Sequence, residues 1–276
     1  MTGMEELIAK YYRPRLPHIW CPGCGNGIVT AAVVRAIDKL GLSQDETAIV
    51  SGIGCSSRAS GYLNFDTLHT AHGRAIPFAV GIKLVKPGHK VIVLTGDGDA
   101  TAIGGNHFIH ACRRNIDLTV VVYNNNIYGM TGGQYSPLTP HQGRATTAPY
   151  GNVDTPFDLC ALAIGAGATF VARATTFHAQ LLTDLIVKAL THPGFAVVEA
   201  ITACPVSFGR QNKMGGPAAM LKWQRDHAVP VEAMPKMKPE QLAGKFAIGL
   251  LHQKYGPEYV AEYQKVIAGA MEGGRQ

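Results

Sequence analysis

The chain has 276 residues, of which 46% are hydrophobic and 16% are charged, and this balance excludes an intrinsically disordered protein. No run approaches the ~18 consecutive apolar residues of a transmembrane helix. The amino terminus lacks the apolar core of a signal peptide, so we predict a cytoplasmic protein without membrane contact. The net charge of +6 comes from scattered Lys and Arg, so nucleic acid is not an expected partner. A basic face for an acidic protein and a solvated surface without a partner both remain open.

The first part of the chain predicts an arm, two helices and a strand. Residues 1–20 end in the Pro-containing stretch RPRLPHIW, which predicts an extended arm leading to CPGCGNG. Apolar residues at helical spacing predict a helix over 28–40 that ends at Gly41. The segment TAIVS predicts a strand over 47–51 before the loop GIGCSS, and residues 74–85 predict a second helix.

The middle of the chain predicts two buried strands that lie side by side. KVIVLT (90–95) and LTVVVY (118–123) are apolar at nearly every position, as expected of strands inside a parallel sheet. A predicted helix over 101–114 connects them. Polar residues follow both strands, in the turns GDGD and NNN. Because ligands bind at the carboxyl ends of strands in open α/β sheets, these two turns form the candidate binding site.

The remaining segments complete an α/β fold. We predict a long functional loop over 129–156, helices over 157–165 and 177–190, strands over 168–172 and 195–200, a loop-like region over 205–240 and a helix over 257–271. This alternation predicts an open, mostly parallel sheet with helices on both faces. We divide the chain into a domain of residues 1–230, which includes the arm, and a C-terminal extension of residues 231–276.

Asp97 and Asn125 form the first candidate site. They are 28 positions apart and follow the two predicted neighbouring strands, so both should face one crevice. A carboxylate, an amide oxygen and a backbone carbonyl suit Mg²⁺, which in turn could hold a diphosphate. The flanking glycines would let backbone N–H groups approach the diphosphate oxygens. Gly-Asp-Gly alone would more often be a plain turn, and the Asn at this distance favours a binding site.

The cysteines form the second candidate site. Without an export signal, disulfides are not expected. Cys21 and Cys24 form a CxxC, Cys55 lies in a loop after a strand, and Cys204 follows another strand. Four such thiolates could bind a [4Fe–4S] cluster or a structural Zn²⁺, or they could be unrelated. The other two cysteines lie within predicted helices and are interpreted as small buried hydrophobic residues: Cys112 and Cys160.

The combined motifs resemble those of one enzyme family. GDG followed by Asn resembles the thiamin-diphosphate motif, which implies that Asp97, Asn125 and the carbonyl of Ile127 bind Mg²⁺. The segments WCPGCG, SGIGCSS, HTAHGRAIPFAVGIK, LTGDGDA, YNNNIYGMTGGQYSP and TACPVSFG are similar, in this order, to the β subunit of 2-oxoacid:ferredoxin oxidoreductases. The resemblance covers about residues 18–230. It implies the thiamin-diphosphate-binding fold, in its diphosphate-binding domain.

The resemblance also implies the ligand sets and the reaction. One [4Fe–4S] cluster is implied on Cys21, Cys24, Cys55 and Cys204. The implied cofactor-binding residues are Ile53, Gly54, Cys55, Ser56, His72, Gly96, Gly98, Asp99, Gly129 and Met130. The implied reaction is the oxidative decarboxylation of a 2-oxo acid with coenzyme A to acyl-CoA and CO₂, or its reversal, with ferredoxin as electron carrier. None of the nine Glu lies in a suitable segment for the thiamin ring, which implies an α subunit that supplies this residue.

The substrate and two rival functions remain open at this point. Overall likeness, including YGMTGGQ, favours 2-oxoglutarate. Arg58 and Arg74 are candidates for binding its carboxylate, although either could be a structural ion-pair partner. The alternatives are a pyruvate- or indolepyruvate-specific relative and a non-catalytic zinc-binding α/β protein. No GxGxxG follows a strand, so a nicotinamide cofactor is not supported.

Overall fold

The computed structural model describes residues 3–273, which build one eight-stranded sheet. Its strands are β1 (Thr47–Ser51), β2 (Asp66–His69), β3 (Lys90–Gly96), β4 (Thr119–Asn124), β5 (Phe170–Thr175), β6 (Ala196–Ile201), β7 (Ala228–Pro230) and β8 (Phe246–Gln253). The spatial order is β2-β1-β3-β4-β6-β5-β8-β7, and all neighbouring pairs are parallel except β5 with β8. The sheet is therefore open and mostly parallel, as predicted.

Helices connect the strands. They are α1 (Met4–Tyr11), α2 (Asn26–Leu40), α3 (Ala59–Tyr62), α4 (Ala75–Val85), α5 (Asp97–Thr101), α6 (Gly105–Arg114), α7 (Leu159–Gly165), α8 (Ala179–Thr191), α9 (Pro217–His227), α10 (Pro239–Leu242) and α11 (Tyr259–Gly273). Within residues 3–273, no helix is both long enough and apolar enough to span a bilayer.

Two hydrophobic cores cover the two faces of the sheet. Side chains alternate along a strand, so Ile92 and Leu94 of β3 enter one core while Val91 and Val93 enter the other. The first core includes α2 and α8, and the second includes α4, α6 and α7. Because both faces of the central strands are covered, those strands are apolar at successive positions. This arrangement confirms the prediction of helices on both faces.

Most predicted elements agree with the structure, and four predictions were wrong. The arm contains α1, whose Leu7 and Tyr11 are buried in the first core, so it is not extended throughout. The helix predicted over 101–114 is two helices, α5 and α6, separated by residues 102–104. The region 205–240 contains the three-turn helix α9. The strand predicted over 168–172 is Phe170–Thr175, and strands β2, β7 and β8 were not predicted at all.

Candidate active site

The carboxyl edge of the parallel strands gathers the loops that carry the sequence motifs. Cys55 follows β1, Asp97 follows β3, Asn125 follows β4 and Cys204 follows β6. Strands β3 and β4 are paired in register, with Gly96 opposite Tyr123, so the two polar turns leave the sheet side by side. This is the edge at which open α/β sheets bind ligands.

A cavity of about 290 Å³, called here the main cavity, opens at this edge. Its lining includes all thirteen residues predicted for the cofactor and Mg²⁺: Ile53, Gly54, Cys55, Ser56, His72, Gly96, Asp97, Gly98, Asp99, Asn125, Ile127, Gly129 and Met130. Three further lining residues were not predicted: Tyr123, Tyr128 and Thr131. All three lie within the motif YNNNIYGMTGGQYSP, from which only Asn125, Ile127, Gly129 and Met130 were assigned to the cofactor and Mg²⁺.

Asp97 is the buried carboxylate of the main cavity. Its side chain is 3% exposed and accepts a hydrogen bond of 2.5 Å from the Ser136 hydroxyl. Burial raises the pKa of Asp97 to about 7, because an ionised carboxylate is poorly solvated there. Asn125 lies beside it on the next turn and accepts a hydrogen bond from the Ile127 backbone N–H. A buried carboxylate next to an amide and a backbone turn is a donor set that a hard divalent cation fits.

Asp99 joins three loops around the main cavity. Its carboxylate accepts hydrogen bonds from the Thr95 hydroxyl at 2.6 Å and from the backbone N–H groups of Gly73 at 2.7 Å and Ile53 at 3.3 Å. His72 Nδ1 lies 2.7 Å from the same carboxylate. Asp99 therefore uses its oxygens within the protein, and its hydrogen bonds hold the loop after β1 and the Gly73 backbone against β3.

Two glycines are required for these close approaches. A Cβ on Gly52 would lie 2.2 Å from the Asp99 carboxylate. A Cβ on Gly98 would lie 2.2 Å from the Tyr128 ring. Both distances are shorter than any real Cβ contact, so only glycine lets these loops close around the cavity.

The four predicted cluster cysteines meet at a second cavity of about 250 Å³, the thiol cavity. Its lining includes Cys21, Cys24, Cys55 and Cys204. The Trp20 indole N–H donates to the Cys55 carbonyl at 2.6 Å, and the Gly25 N–H donates to the Ala203 carbonyl at 3.3 Å. These bonds hold the CxxC turn against the loops that carry the other two thiols.

The two cavities are contiguous. Cys55, Asn125, Gly129 and Met130 line both of them. A Cβ built on Gly129 would lie 3.5 Å from Cys55 Sγ and 3.6 Å from Cys204 Sγ, so the backbone there passes directly beside two thiols. Groups bound in the two cavities would therefore be separated by little more than one turn of backbone.

The raised pKa values of the buried thiols bear on metal binding at the thiol cavity. Burial raises the pKa of Cys24 to about 12 and that of Cys55 to about 11, so neither is a thiolate at neutral pH without a positive centre to bind. Tetrahedral zinc with Zn–S bonds of ~2.3 Å would hold its sulfurs roughly 3.8 Å apart. Within residues 3–273, no three of these thiols lie within 4.8 Å of one another. Four thiols at one cavity match the number of ligands of a [4Fe–4S] cluster and equally that of a tetrahedral zinc ion.

A buried ionic network lies behind the main cavity. Glu199 accepts hydrogen bonds from Arg173 Nε at 2.6 Å, from Asn124 Nδ2 at 2.7 Å and from the Cys160 thiol at 3.2 Å. Arg173 also pairs with Asp158 at 2.6 Å, so the Arg173 guanidinium is the cation that both carboxylates, Glu199 and Asp158, already bind. Asn124 immediately precedes Asn125, and its side chain accepts from the Asn126 N–H. Glu199 is thus a buried support of the Asn125 turn, outside the lining of the main cavity.

Several other predicted residues lie away from the cavities. Cys112 and Cys160 are fully buried, as predicted. Neither Arg58 nor Arg74 is among the residues that line the main cavity. Arg74 Nη1 donates to the backbone carbonyls of Gly73 and Ile103, which is a structural contact. The lining of the main cavity also includes no glutamate.

Comparison with known proteins first defines the class. Residues 52–200 match the family model of the thiamine pyrophosphate enzymes, C-terminal TPP-binding domain. The matched region contains β2 to β5, nearly all of β6 and every lining residue of the main cavity. The chain is accordingly a thiamin-diphosphate-binding protein, and its main cavity lies at the edge of the sheet where the ligand of such a fold binds.

The relatives define the family within this class. The chain is 52% identical over 259 residues to the 2-oxoglutarate synthase subunit KorB of Methanocaldococcus jannaschii, covering 94% of this chain and 96% of the relative. It is 58% identical over 203 residues to KorB of Archaeoglobus fulgidus, covering 73% and 76%. A solved 2-oxoglutarate:ferredoxin oxidoreductase from Magnetococcus marinus matches with a TM-score of 0.83 and 33% identity, covering 94% of this chain and 89% of that chain. The chain belongs to the β-subunit family of the 2-oxoacid:ferredoxin oxidoreductases, of the 2-oxoglutarate synthase type.

Proposed function

We propose that this chain is the β subunit of an oxidoreductase that converts 2-oxoglutarate and coenzyme A to succinyl-CoA and CO₂ and passes the electrons to ferredoxin, with the reverse carboxylation also available to it. The observation that carries the proposal is the contiguity of the main and thiol cavities, which share Cys55, Asn125, Gly129 and Met130. The structure from M. marinus contains 2-oxoglutarate, coenzyme A and succinyl-CoA, and this supports the choice of substrate.

In the main cavity, Asp97, Asn125 and the carbonyl of Ile127 would hold Mg²⁺, and the turns around Gly98 and Gly54 would approach the diphosphate. When bound there, thiamin diphosphate supplies the electron sink that decarboxylation of a 2-oxo acid requires. The protein's own side chains position the groups that line the cavity. Ser136 orients the Asp97 carboxylate, and Asp99 holds the backbone of Ile53 and Gly73 at the cavity wall.

In the thiol cavity, Cys21, Cys24, Cys55 and Cys204 would hold one [4Fe–4S] cluster, which supplies one-electron transfer when bound. None of the cysteines of residues 3–273 forms a disulfide, and we place the protein in the cytoplasm, where thiols stay reduced.

An α subunit completes the site in this proposal. Among residues 3–273, no glutamate lines the main cavity, and we assign the residue that contacts the thiamin ring to the α subunit. Helix α4 begins at Ala75, directly after the His72 loop, and it is apolar on nearly all sides. Its Phe78 is 49% exposed and its Val85 is 78% exposed. A helix that is apolar all round is normally buried, so this surface next to the cavity is suited to contact the α subunit.

Reconstitution tests the proposal. The anaerobically purified chain should contain about four irons and four acid-labile sulfides, and alone it should not decarboxylate any 2-oxo acid. Combined with its α subunit, thiamin diphosphate, Mg²⁺ and coenzyme A, it should consume 2-oxoglutarate in preference to pyruvate and indolepyruvate. Zinc without iron would refute the cluster, turnover by the isolated chain would refute the two-subunit site, and a preference for pyruvate would refute the substrate.

A further inference from the structure

Two buried polar side chains beside the cysteines of the thiol cavity have no hydrogen-bond partner. Asn26 is 0% exposed, and neither its amide nitrogen nor its amide oxygen is bonded within residues 3–273. Thr202 is 5% exposed, and its hydroxyl is equally unbonded in that part of the chain. Asn26 follows Cys24 by two residues, and Thr202 precedes Cys204 by two. Because a buried polar group without a partner is costly and rare in native proteins, both side chains are suited to a partner that binds at the cysteines.

The two side chains lie where the CxxC turn meets the loop after β6. The Gly25 N–H donates to the Ala203 carbonyl at 3.3 Å, which joins the two segments. A Cβ built on Gly25 would collide with the Thr202 hydroxyl, so this hydroxyl packs directly against the Gly25 backbone. Gly25 lies between Cys24 and Asn26 in the chain. The unpaired groups of Asn26 and Thr202 therefore flank the same contact between the two segments, next to Cys24.

The amino terminus of helix α2 faces the thiol cavity. The helix has 15 residues and begins at Asn26, its N-cap Gly25 carries no capping side chain, and its first turn contains no acidic residue. The first N–H groups of a helix have no partner inside it and bear partial positive charge. Burial raises the pKa of Cys24, and the Asn26 backbone N–H opposes this rise by donating to the Cys24 sulfur. The uncapped end of α2 thus already contacts a cysteine that lines the thiol cavity.

The Asn26 side chain lies on the side of α2 that faces the cavities. Every Cα–Cβ bond of a helix is tilted toward the amino terminus, so a side chain in the first turn extends back toward the residues before the helix. For Asn26 these residues are the CxxC turn. Thr30 lies one turn later on the same stripe of α2, and its hydroxyl is 3.1 Å from that of Tyr123, which lines the main cavity. The buried Asn26 amide is therefore placed between the CxxC turn and the wall of the main cavity.

We propose that the Asn26 amide N–H and the Thr202 hydroxyl donate hydrogen bonds to sulfurs of the [4Fe–4S] cluster held at the thiol cavity, and that these bonds and the amino terminus of α2 raise its reduction potential. This inference rests on the proposed function and specifies which residues set the potential of its electron acceptor. Reduction adds one electron, and with it one negative charge, to the cluster. Hydrogen-bond donors and the positive end of a helix stabilise the more negative state, so both favour reduction.

Apolar replacements distinguish this role from a purely structural one. Replacing an unpaired buried polar group by an apolar group of similar shape leaves stability nearly unchanged. Asn26→Leu and Thr202→Val remove the donors and nearly keep the volume of each side chain. Both variants should therefore fold and hold the cluster, and they should differ from the unmodified protein in the equilibrium between the oxidised and the reduced cluster.

Redox titration of the anaerobically prepared αβ complex tests the proposal. The variants are Asn26→Leu and Thr202→Val, and Thr119→Val is the matched control. Thr119 is buried at the amino end of β4, the opposite edge of the sheet, and its hydroxyl already donates to the Ala189 carbonyl at 3.3 Å. Iron and acid-labile sulfide are measured first. The midpoint potential of the cluster is then determined by electron paramagnetic resonance, without substrate or ferredoxin.

We expect both variants to keep the iron content of the unmodified complex. At a given applied potential, the ratio of reduced to oxidised cluster should fall about tenfold in each variant, which corresponds to a midpoint lower by about 59 mV. The Thr119→Val control should match the unmodified complex. An unchanged or raised midpoint in either variant, or an equal fall in the control, would overturn the proposal. Loss of iron from either variant would overturn it too, because that side chain would then be needed to hold the thiols. Absence of iron from the unmodified complex would instead refute the proposed function.

Discussion

Replacing Glu199 by Gln should lower the stability of the protein while leaving thiamin diphosphate binding intact. Glu199 is 2% exposed and Arg173 is 8% exposed, and their contact is 2.6 Å long. The Gln variant keeps an oxygen for the Asn124 amide but leaves Arg173 with Asp158 alone, whose side chain is 56% exposed. Removing one partner of a buried ion pair costs about 3–5 kcal/mol, because the other charge stays buried. The remaining pair with Asp158 should keep the loss near the lower value, about 3 kcal/mol.

A loss of stability of this size can be measured by thermal unfolding. At roughly 2 °C per kcal/mol for a chain of this length, Tm should fall by about 6 °C in anaerobic scanning calorimetry at one fixed scan rate. Thiamin diphosphate binding should persist, because the Asn124 contact remains. The matched control is Asp158→Asn, which removes only the exposed partner and keeps a good N-cap for α7, so Tm should change by less than about 2 °C. A Glu199→Gln protein within 2 °C of the unmodified one would refute the assignment of Arg173 as a charge that depends on Glu199.

Three further predictions concern the cavities. Asp97→Ala should abolish Mg²⁺-dependent thiamin diphosphate binding in calorimetry while iron content stays unchanged, and retained affinity would contradict the Mg²⁺ assignment. Because burial raises the pKa of Asp97 to about 7, protons should compete with Mg²⁺ below that pH and lower its apparent affinity about tenfold per pH unit, whereas an affinity equal at pH 6 and pH 8 would show that Asp97 is not the ligand. Cys204→Ser should lose or degrade the cluster and abolish ferredoxin reduction, whereas Cys112→Ser and Cys160→Ser should keep their iron. Full iron in Cys204→Ser, or its loss from Cys112→Ser, would change the ligand set.

The sequence by itself predicted the class of fold, thirteen lining residues of the main cavity and the four cysteines of the thiol cavity. The buried strands β3 and β4 could be recognised in the sequence because both faces of a central parallel strand are covered, so nearly every position is apolar. The polar turns after them could be recognised as a binding site because ligands of open α/β sheets bind at the carboxyl ends of the strands. The N-terminal helix and β8 were missed. Helix α1 is short, and β8 is an antiparallel addition to β5 that contains Gly249 with φ at 118°.

Only the tertiary structure decided how the residues work together. No local pattern reveals that Asp99 accepts hydrogen bonds from Thr95, Gly73 and Ile53, since these donors are up to 46 residues away. The same holds for Glu199 beneath the Asn125 turn, because its partners lie on separate strands. Periodicity reports which side of an element is buried, whereas contacts between distant segments are fixed by the packing of the whole sheet.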